Sequence, residues 1–312
     1  MLFDPITISL LLAAAVRLSA PMLLASLGEL VSERAGVLNI GLEGLMLFGA
    51  FGAVLGLQES NDPLIGLLSG ALWGLGAAAI LALAVALLRA DQIVIGIGFN
   101  ILALGATSLL RQVALNPSYN APSLRAVSLY RIPVLYHWPI VGRAFFMQSP
   151  VFYGAVLLAI LLGLMLKYTR LGLIIRAVGE GAGAADAAGV SVTVVRFGAM
   201  AFTGLCAGLG GGYLTIVASG GVFVDNMTAG RGYLAVAVVI FSRWRPIWIL
   251  AASILFGCAD ALQYQGQAIG LSIPPPLLLM SPFVLALVAW VLMGKGKTGP
   301  GEIGLPFLRG QK

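Results

Sequence analysis

The stretch LIGLLSGALWGLGAAAILALAVALL, Leu64 to Leu88, runs for 25 residues without one charge. A water-facing helix needs a polar face, and this segment offers only Ser69. About 20 consecutive apolar residues suffice to cross the hydrocarbon core of a bilayer. The segment therefore reads as a membrane span. Working outward, similar runs occupy 6–27, 38–57, 93–110, 150–166, 197–218, 246–262 and 277–293. A ninth run, 232–242, has only half the usual length and stops at Ser242-Arg-Trp-Arg-Pro246. A run that short is tucked against other helices or forms part of a broken, re-entrant element. The expected architecture is an all-α, polytopic membrane bundle of about nine spans, including the short re-entrant segment. One transmembrane domain, 1–312, accounts for the chain, and no segment is left for a second, soluble domain.

The composition agrees. Of 312 residues, 60% are hydrophobic and 10% charged, with a mean hydropathy of +1.01. Soluble domains carry about 25% charged residues. The net charge of +6 does not indicate nucleic acid, because the basic residues stand singly at the ends of apolar runs. With nine crossings, one side holds Arg34, Arg89, Lys167, Arg170, Arg176, Arg196, Arg243, Arg245, Lys295, Lys297, Arg309 and Lys312. The other holds Arg111, Arg125, Arg131, Arg143 and Arg231. Positive residues concentrate inside, so the first set and the C-terminus are expected in the cytoplasm and the N-terminus outside. Residues 111–149 then form an external loop, 167–196 a cytoplasmic loop, and 295–312 a basic cytoplasmic tail. The centre of the cytoplasmic loop is Ala-rich and predicts one or two short helices framed by Gly183 and Gly189. The start lacks the basic region of a cleavable signal, so the first run reads as a permanent span.

Catalytic signatures are missing. His137 is the only histidine, and there is no HExxH motif or cysteine cluster. Cys206 and Cys258 sit in apolar runs and read as small buried hydrophobes. Gly294-Lys-Gly-Lys-Thr-Gly299 resembles a phosphate loop but has Val291 where the first glycine belongs, and it follows a span instead of a strand. It reads as a basic tail near headgroups. No cofactor is expected on this chain. Gly66, Gly70 and Gly74, and likewise Gly204, Gly208 and Gly212, lie on single helix faces and suit close, static packing. Glu29, Glu33 and Arg34 read most simply as a solvated turn. Glu43, inside the next run, reads either as a tie to a helix end or as a transport group, and Asn100 as helix–helix glue or path lining.

Several segments together carry a resemblance. Ser32-Glu-Arg-Ala-Gly-Val-Leu-Asn-Ile-Gly-Leu-Glu-Gly44 resembles the N-terminal signature of ABC-importer permeases for nucleosides and simple sugars, a ribose-permease-like superfamily. Arg176-Ala-Val-Gly-Glu180 with Ala184-Ala-Asp-Ala-Ala-Gly-Val190 is similar to that family's cytoplasmic loop. Thr228-Ala-Gly-Arg-Gly-Tyr-Leu-Ala-Val-Ala237, followed by Trp244-Arg-Pro246, resembles its short re-entrant segment. The likeness covers about residues 20–294. Two departures stand out: Gly181-Ala182 replaces a common Asn-Pro, which weakens the start of the cytoplasmic helix, and the extra N-terminal span of ribose-type permeases is missing.

The resemblance implies a bacterial inner-membrane permease for nucleosides or a related small polar solute, with simple sugars as the alternative. It implies a second homologous permease, separate ATP-binding subunits that carry ATP and Mg, and a periplasmic or lipoprotein solute-binding protein. Arg176, Gly179, Glu180, Ala184, Asp186 and Gly189 would couple to the ATPase. Asn39, Glu43, Phe99 and Asn100 are candidates for the solute path, since a neutral solute needs hydrogen bonds and apolar faces. A rival class is an ion-coupled secondary transporter, for which Glu43 and Asp260 are the only carboxylate candidates and no internal repeat is evident. A scaffold protein fits the docking-type loop less well.

Overall fold

In the longest helix, α1 (Pro5–Arg34), apolar residues continue straight into Gly28-Glu-Leu-Val-Ser-Glu-Arg34 without a break. The computed structural model describes residues 5–87, 91–116, 129–133, 135–138, 141–265, 274–293 and 299–307. Next come α2 (Leu42–Ser60), α3 (Pro63–Leu87) and α4 (Gln92–Ala114). Asp91 starts α4 by accepting from the N–H groups of Ile93 and Val94, and Ser149 with Pro150 starts α6 (Pro150–Tyr168). Between α4 and α6 lie β1 (Tyr130–Arg131), α5 (Val141–Phe145) and β2 (Met147–Gln148). The two strands pair antiparallel, a small exception to the all-α expectation. Then follow α7 (Arg170–Glu180), α8 (Ala182–Ala187) and α9 (Val192–Tyr213), which runs on through a π-helical turn, Leu214–Ala218. The described chain continues with α10 (Arg231–Phe241), α11 (Pro246–Gln265), α12 (Pro275–Leu279) and α13 (Ser281–Met293).

Among the described residues, seven helices are long and apolar enough to cross a membrane: Thr7–Arg34, Leu42–Ser60, Pro63–Val85, Gln92–Ala114, Pro150–Tyr168, Val192–Ala218 and Pro246–Gln265. Their outward faces are apolar, with Val94 and Ile101 each 69% exposed and Leu157 and Leu164 about half exposed. Such a surface suits lipid and would aggregate in water. The molecule is thus a largely helical, multi-span membrane protein.

The expected full-length run 277–293 is instead split at Met280. Pro282 has no N–H to give the Leu278 carbonyl, and the Ser281 hydroxyl donates to it at 2.7 Å. The expected solvated turn at Glu29, Glu33 and Arg34 is also corrected. These residues are the last turns of α1, with both carboxylates buried. Glu29 accepts from the Asn39 N–H at 3.0 Å, Glu33 accepts from the Trp244 indole N–H, and the Ser32 hydroxyl bonds Thr203 at 2.7 Å. Arg231, assigned to a loop by its charge, is the buried first residue of α10.

The two glycine stripes meet each other. A Cβ on Gly74 would overlap the Gly204 carbonyl, and one on Gly208 would overlap the Gly70 carbonyl, while Gly49 of α2 abuts Gly208 from the third side. Without side chains here, α2, α3 and α9 pack backbone to backbone. Gly208→Ala should lower stability by about 1–3 kcal/mol through overpacking. A thermal melt of the detergent-purified protein checks this, and an unshifted melting temperature would mean that the three backbones are not in contact.

Candidate functional site

Helix α10 has 11 residues, about 16 Å at 1.5 Å per residue. Its far end is fixed beside the end of α1, where the Arg34 guanidinium donates to the Trp244 carbonyl at 2.9 Å. Its beginning therefore lies about half a bilayer thickness away from that level. A helix starting there leaves orphan N–H groups that no water reaches. Glu43 supplies the acceptors. Its Oε1 accepts from the Thr228 hydroxyl and from the Gly230 N–H at 2.8 Å, and its Oε2 from the Gly232 N–H at 2.6 Å. The carboxylate also sits at the electropositive end of the helix dipole. Gly230 takes φ +84°, and a Cβ on Gly232 would press into the Glu43 backbone. Of the two readings of Glu43, the geometry matches the tie to a helix end.

Asn100 completes the joint. Its Oδ1 accepts from the Gly44 N–H at 2.8 Å, and its Nδ2 donates to the Ile40 carbonyl at 2.9 Å and the Tyr233 hydroxyl at 2.7 Å. One side chain thus binds α4 to α2 and α10, which is the glue reading. Phe99 is buried against Gly44 and 5.9 Å from the Phe48 ring. Asn39 is buried too; its N–H is taken by Glu29, but neither side-chain polar atom has a partner. The four path candidates therefore surround one joint, with Glu43 and Asn100 occupied by structural bonds. Sequence reasoning missed Tyr233, whose ring is 43% exposed while Asn100 holds its hydroxyl. The only sequence signal for it is its place in the Thr228–Ala237 motif.

Asp260, the other carboxylate candidate for ion coupling, pairs with Arg231 at 3.2 Å, both side chains being under 10% exposed. Arg231 also donates to the Tyr264 hydroxyl at 3.3 Å. Among the described residues, no group of three His, Cys, Asp or Glu side chains is arranged for a metal ion. The segment 294–298, which holds most of the phosphate-loop-like run, lies outside the described residues, as do residues 117–128 of the long loop.

The coupling candidates fall on α7, α8 and the turn after them. Thr169 caps α7 by accepting from the Gly172 N–H. Gly181 precedes α8 with no side-chain cap, as the missing Asn-Pro suggests, so Gly183 lies inside α8 instead of framing it. Gly189 does terminate it, at φ +85°. Glu180, Ala184 and Gly189 are exposed, Arg176 and Asp186 partly so. Gly179 is buried, and a Cβ there would overlap the Arg34 carbonyl at the end of α1. Residues 299–307, part of the expected basic cytoplasmic tail, lie across this seam. The Glu302 N–H donates to the Gly179 carbonyl at 2.9 Å, the Gly304 N–H to Gly36 at 3.2 Å, and Arg196 to the Leu305 carbonyl at 2.8 Å. Phe307 packs on Val178, Ala182, Ala185 and Val192.

Known proteins place this geometry. Residues 11–294 match the family described as "Branched-chain amino acid transport system / permease component". The guanosine ABC transporter permease protein NupQ of Bacillus subtilis is 35% identical, over 98% of each chain. The nucleoside ABC transporter permease protein NupC of Lactococcus lactis is 33% identical, over 97% of this chain and 98% of its own. TsgC13 of Haloferax volcanii, provisionally named a glucose ABC transporter permease protein, is 37% identical over 89% of this chain and 85% of its own. A solved inward-facing ABC transporter, provisionally of the metal-chelate type, shares the fold with a TM-score of 0.50 at 16% identity, covering 94% of this chain and 90% of that one. The family match over most of the chain and these relatives establish that the chain belongs to an ABC-importer permease family related to nucleoside and sugar transport systems, as a transport subunit.

Proposed function

We propose that the chain forms half of the translocation path of an ATP-driven importer for nucleosides or related small polar solutes in a bacterial inner membrane. A second homologous permease supplies the other half. ATP and Mg are held by separate ATP-binding subunits, and a periplasmic or lipoprotein binding protein delivers solute. On this reading the segment 232–242 crosses as part of a broken, re-entrant ninth element, and the C-terminus and α7–α8 lie in the cytoplasm. The transmembrane domain is one unit, 1–312.

The observation that carries the reading is the seat of α7 on α1. Backbone meets backbone at Gly179 and Arg34, so a push on the exposed face of α7–α8 reaches α1 without side chains to absorb it. The names of the nucleoside and guanosine relatives support the solute class, and that of TsgC13 keeps simple sugars as a second reading. An ion-coupled carrier is less well supported, because Glu43 and Asp260 are both consumed by structural bonds. Asn39 and Phe99 border the path, with Glu43 and Asn100 holding its frame.

The test is co-expression with the neighbouring ATP-binding, permease and binding-protein genes, followed by uptake of labelled nucleosides and sugars in proteoliposomes. Glu180→Trp and Ala184→Trp, at exposed positions, should release the ATP-binding subunit and reduce uptake to background. Intact complexes with normal uptake in both variants would remove α7–α8 from the coupling role. Uptake by this chain alone, driven by an ion gradient, would favour the carrier.

A further inference from the structure

An arginine inside a span is costly and ordinarily finds a partner. Arg17, midway along α1, has none: it makes no ion pair or hydrogen bond among the described residues, and its Nε is buried and unpaired. It borders a cavity of about 340 Å³ between α1, the π turn of α9, Arg231 and the last turn of α11. That volume falls within the range of small-molecule sites, about 300–1,000 Å³.

Two helix irregularities converge on the same cavity. Pro21 has no N–H to give the Arg17 carbonyl, so α1 lacks one rung of its ladder where Arg17 leaves it. Across the cavity the wall is the π turn, with Leu214, Val217 and Ala218 lining it. Single π turns recur at functional sites because they re-aim side chains at a cost in stability. Ser219 and Gln265 line the cavity with groups that donate and accept, and the other polar groups are Arg17, Arg231 and Tyr264. The Tyr264 hydroxyl oxygen accepts from Arg231, which leaves its own O–H free to donate, and Arg17 adds its unpaired guanidinium. Leu18 and Met227 supply apolar walls. Arg17 also borders a second cavity of about 290 Å³ that carries Arg131 and Arg143 and, among the described residues, no carboxylate. A solute that fits has apolar faces and an acceptor to offer the arginine.

Building on the nucleoside reading, we propose that this cavity is a solute subsite for a purine base with a ring carbonyl, and that Arg17 is its specificity-determining donor. A base with an amino group in place of the carbonyl turns a donor toward Arg17 and leaves it only a ring nitrogen as acceptor. Sugars offer hydroxyls, which donate as well as accept, and no carbonyl.

The test uses the assembled importer in proteoliposomes and the concentration dependence of guanosine and adenosine uptake. Arg17→Leu should raise the half-saturating guanosine concentration about tenfold, the scale of losing a charged hydrogen bond, and affect adenosine less. Arg17→Lys should restore part of the loss. Ala218→Phe, at an exposed wall position, should fill the cavity and weaken both nucleosides, and it decides the matter if Arg17→Leu fails to assemble. Unchanged guanosine uptake in Ala218→Phe, or in an assembled Arg17→Leu, overturns the subsite while leaving the importer reading intact. A wild-type complex that moves ribose and no nucleoside overturns the nucleoside reading and the assignment of this cavity to a base.

Discussion

Glu43→Ala leaves a protein that barely survives purification. Three donors, on Thr228, Gly230 and Gly232, lose their acceptor at once at a largely buried site. Each buried unsatisfied group costs about 1–3 kcal/mol, so the sum is on the order of 5 kcal/mol, comparable to the whole stability of many domains. The helix dipole also loses its counter-charge. Glu43→Gln keeps the shape and one acceptor oxygen, and should cost roughly half as much. Thermal melts and the yield of monodisperse protein in detergent read both variants. A Glu43→Ala protein that melts with the wild type would mean that α10 is held by something else. In that case the transport role of Glu43 would become the better reading.

The second large effect concerns coupling, with stability as its control. Gly179→Val places a branched side chain against the Arg34 carbonyl and the Gly36 N–H, so α7 must lift off α1. ATP hydrolysis by the assembled complex should continue, while uptake per ATP falls about tenfold, the upper range for a mutation that disturbs coupling between sites. The measurement is paired ATPase and uptake on one preparation. Equal loss of both activities would point to plain misfolding, and full coupled uptake would remove the Gly179 seat from the transmission path. Glu180→Trp acts differently, since it strips the ATPase subunit away instead of loosening a bound one.

What the sequence made legible was the part governed by local composition. The long charge-free runs had to become helices, because lipid leaves an isolated backbone no other partner, and seven of them are helices of spanning length. Asn100 as glue and the glycine stripes as close packing were also readable, because a lone amide or a small-residue face in a span has few other uses. The burial of Glu29 and Glu33 was not. Ordinary reasoning gives carboxylates to water, and the groups that hold them here, the Asn39 N–H and the Trp244 indole, arrive from 10 and 211 positions away. The same holds for Glu43, whose acceptors serve a helix 185 or more residues distant. The split at Met280 had a local sign in Pro282, outweighed by the apolar character of the whole run.

Residues 299–307 add a consequence for a shortened chain. They are translated after every helix they fasten, yet they bond Gly36, Gly179 and Arg196, which were made long before. A finished chain cut before Gly299 would keep its helices but lose the hydrogen bonds by which this segment closes over α7, α9 and the turn after α1, so on the proposed coupling role α7–α8 would meet its partner unlatched.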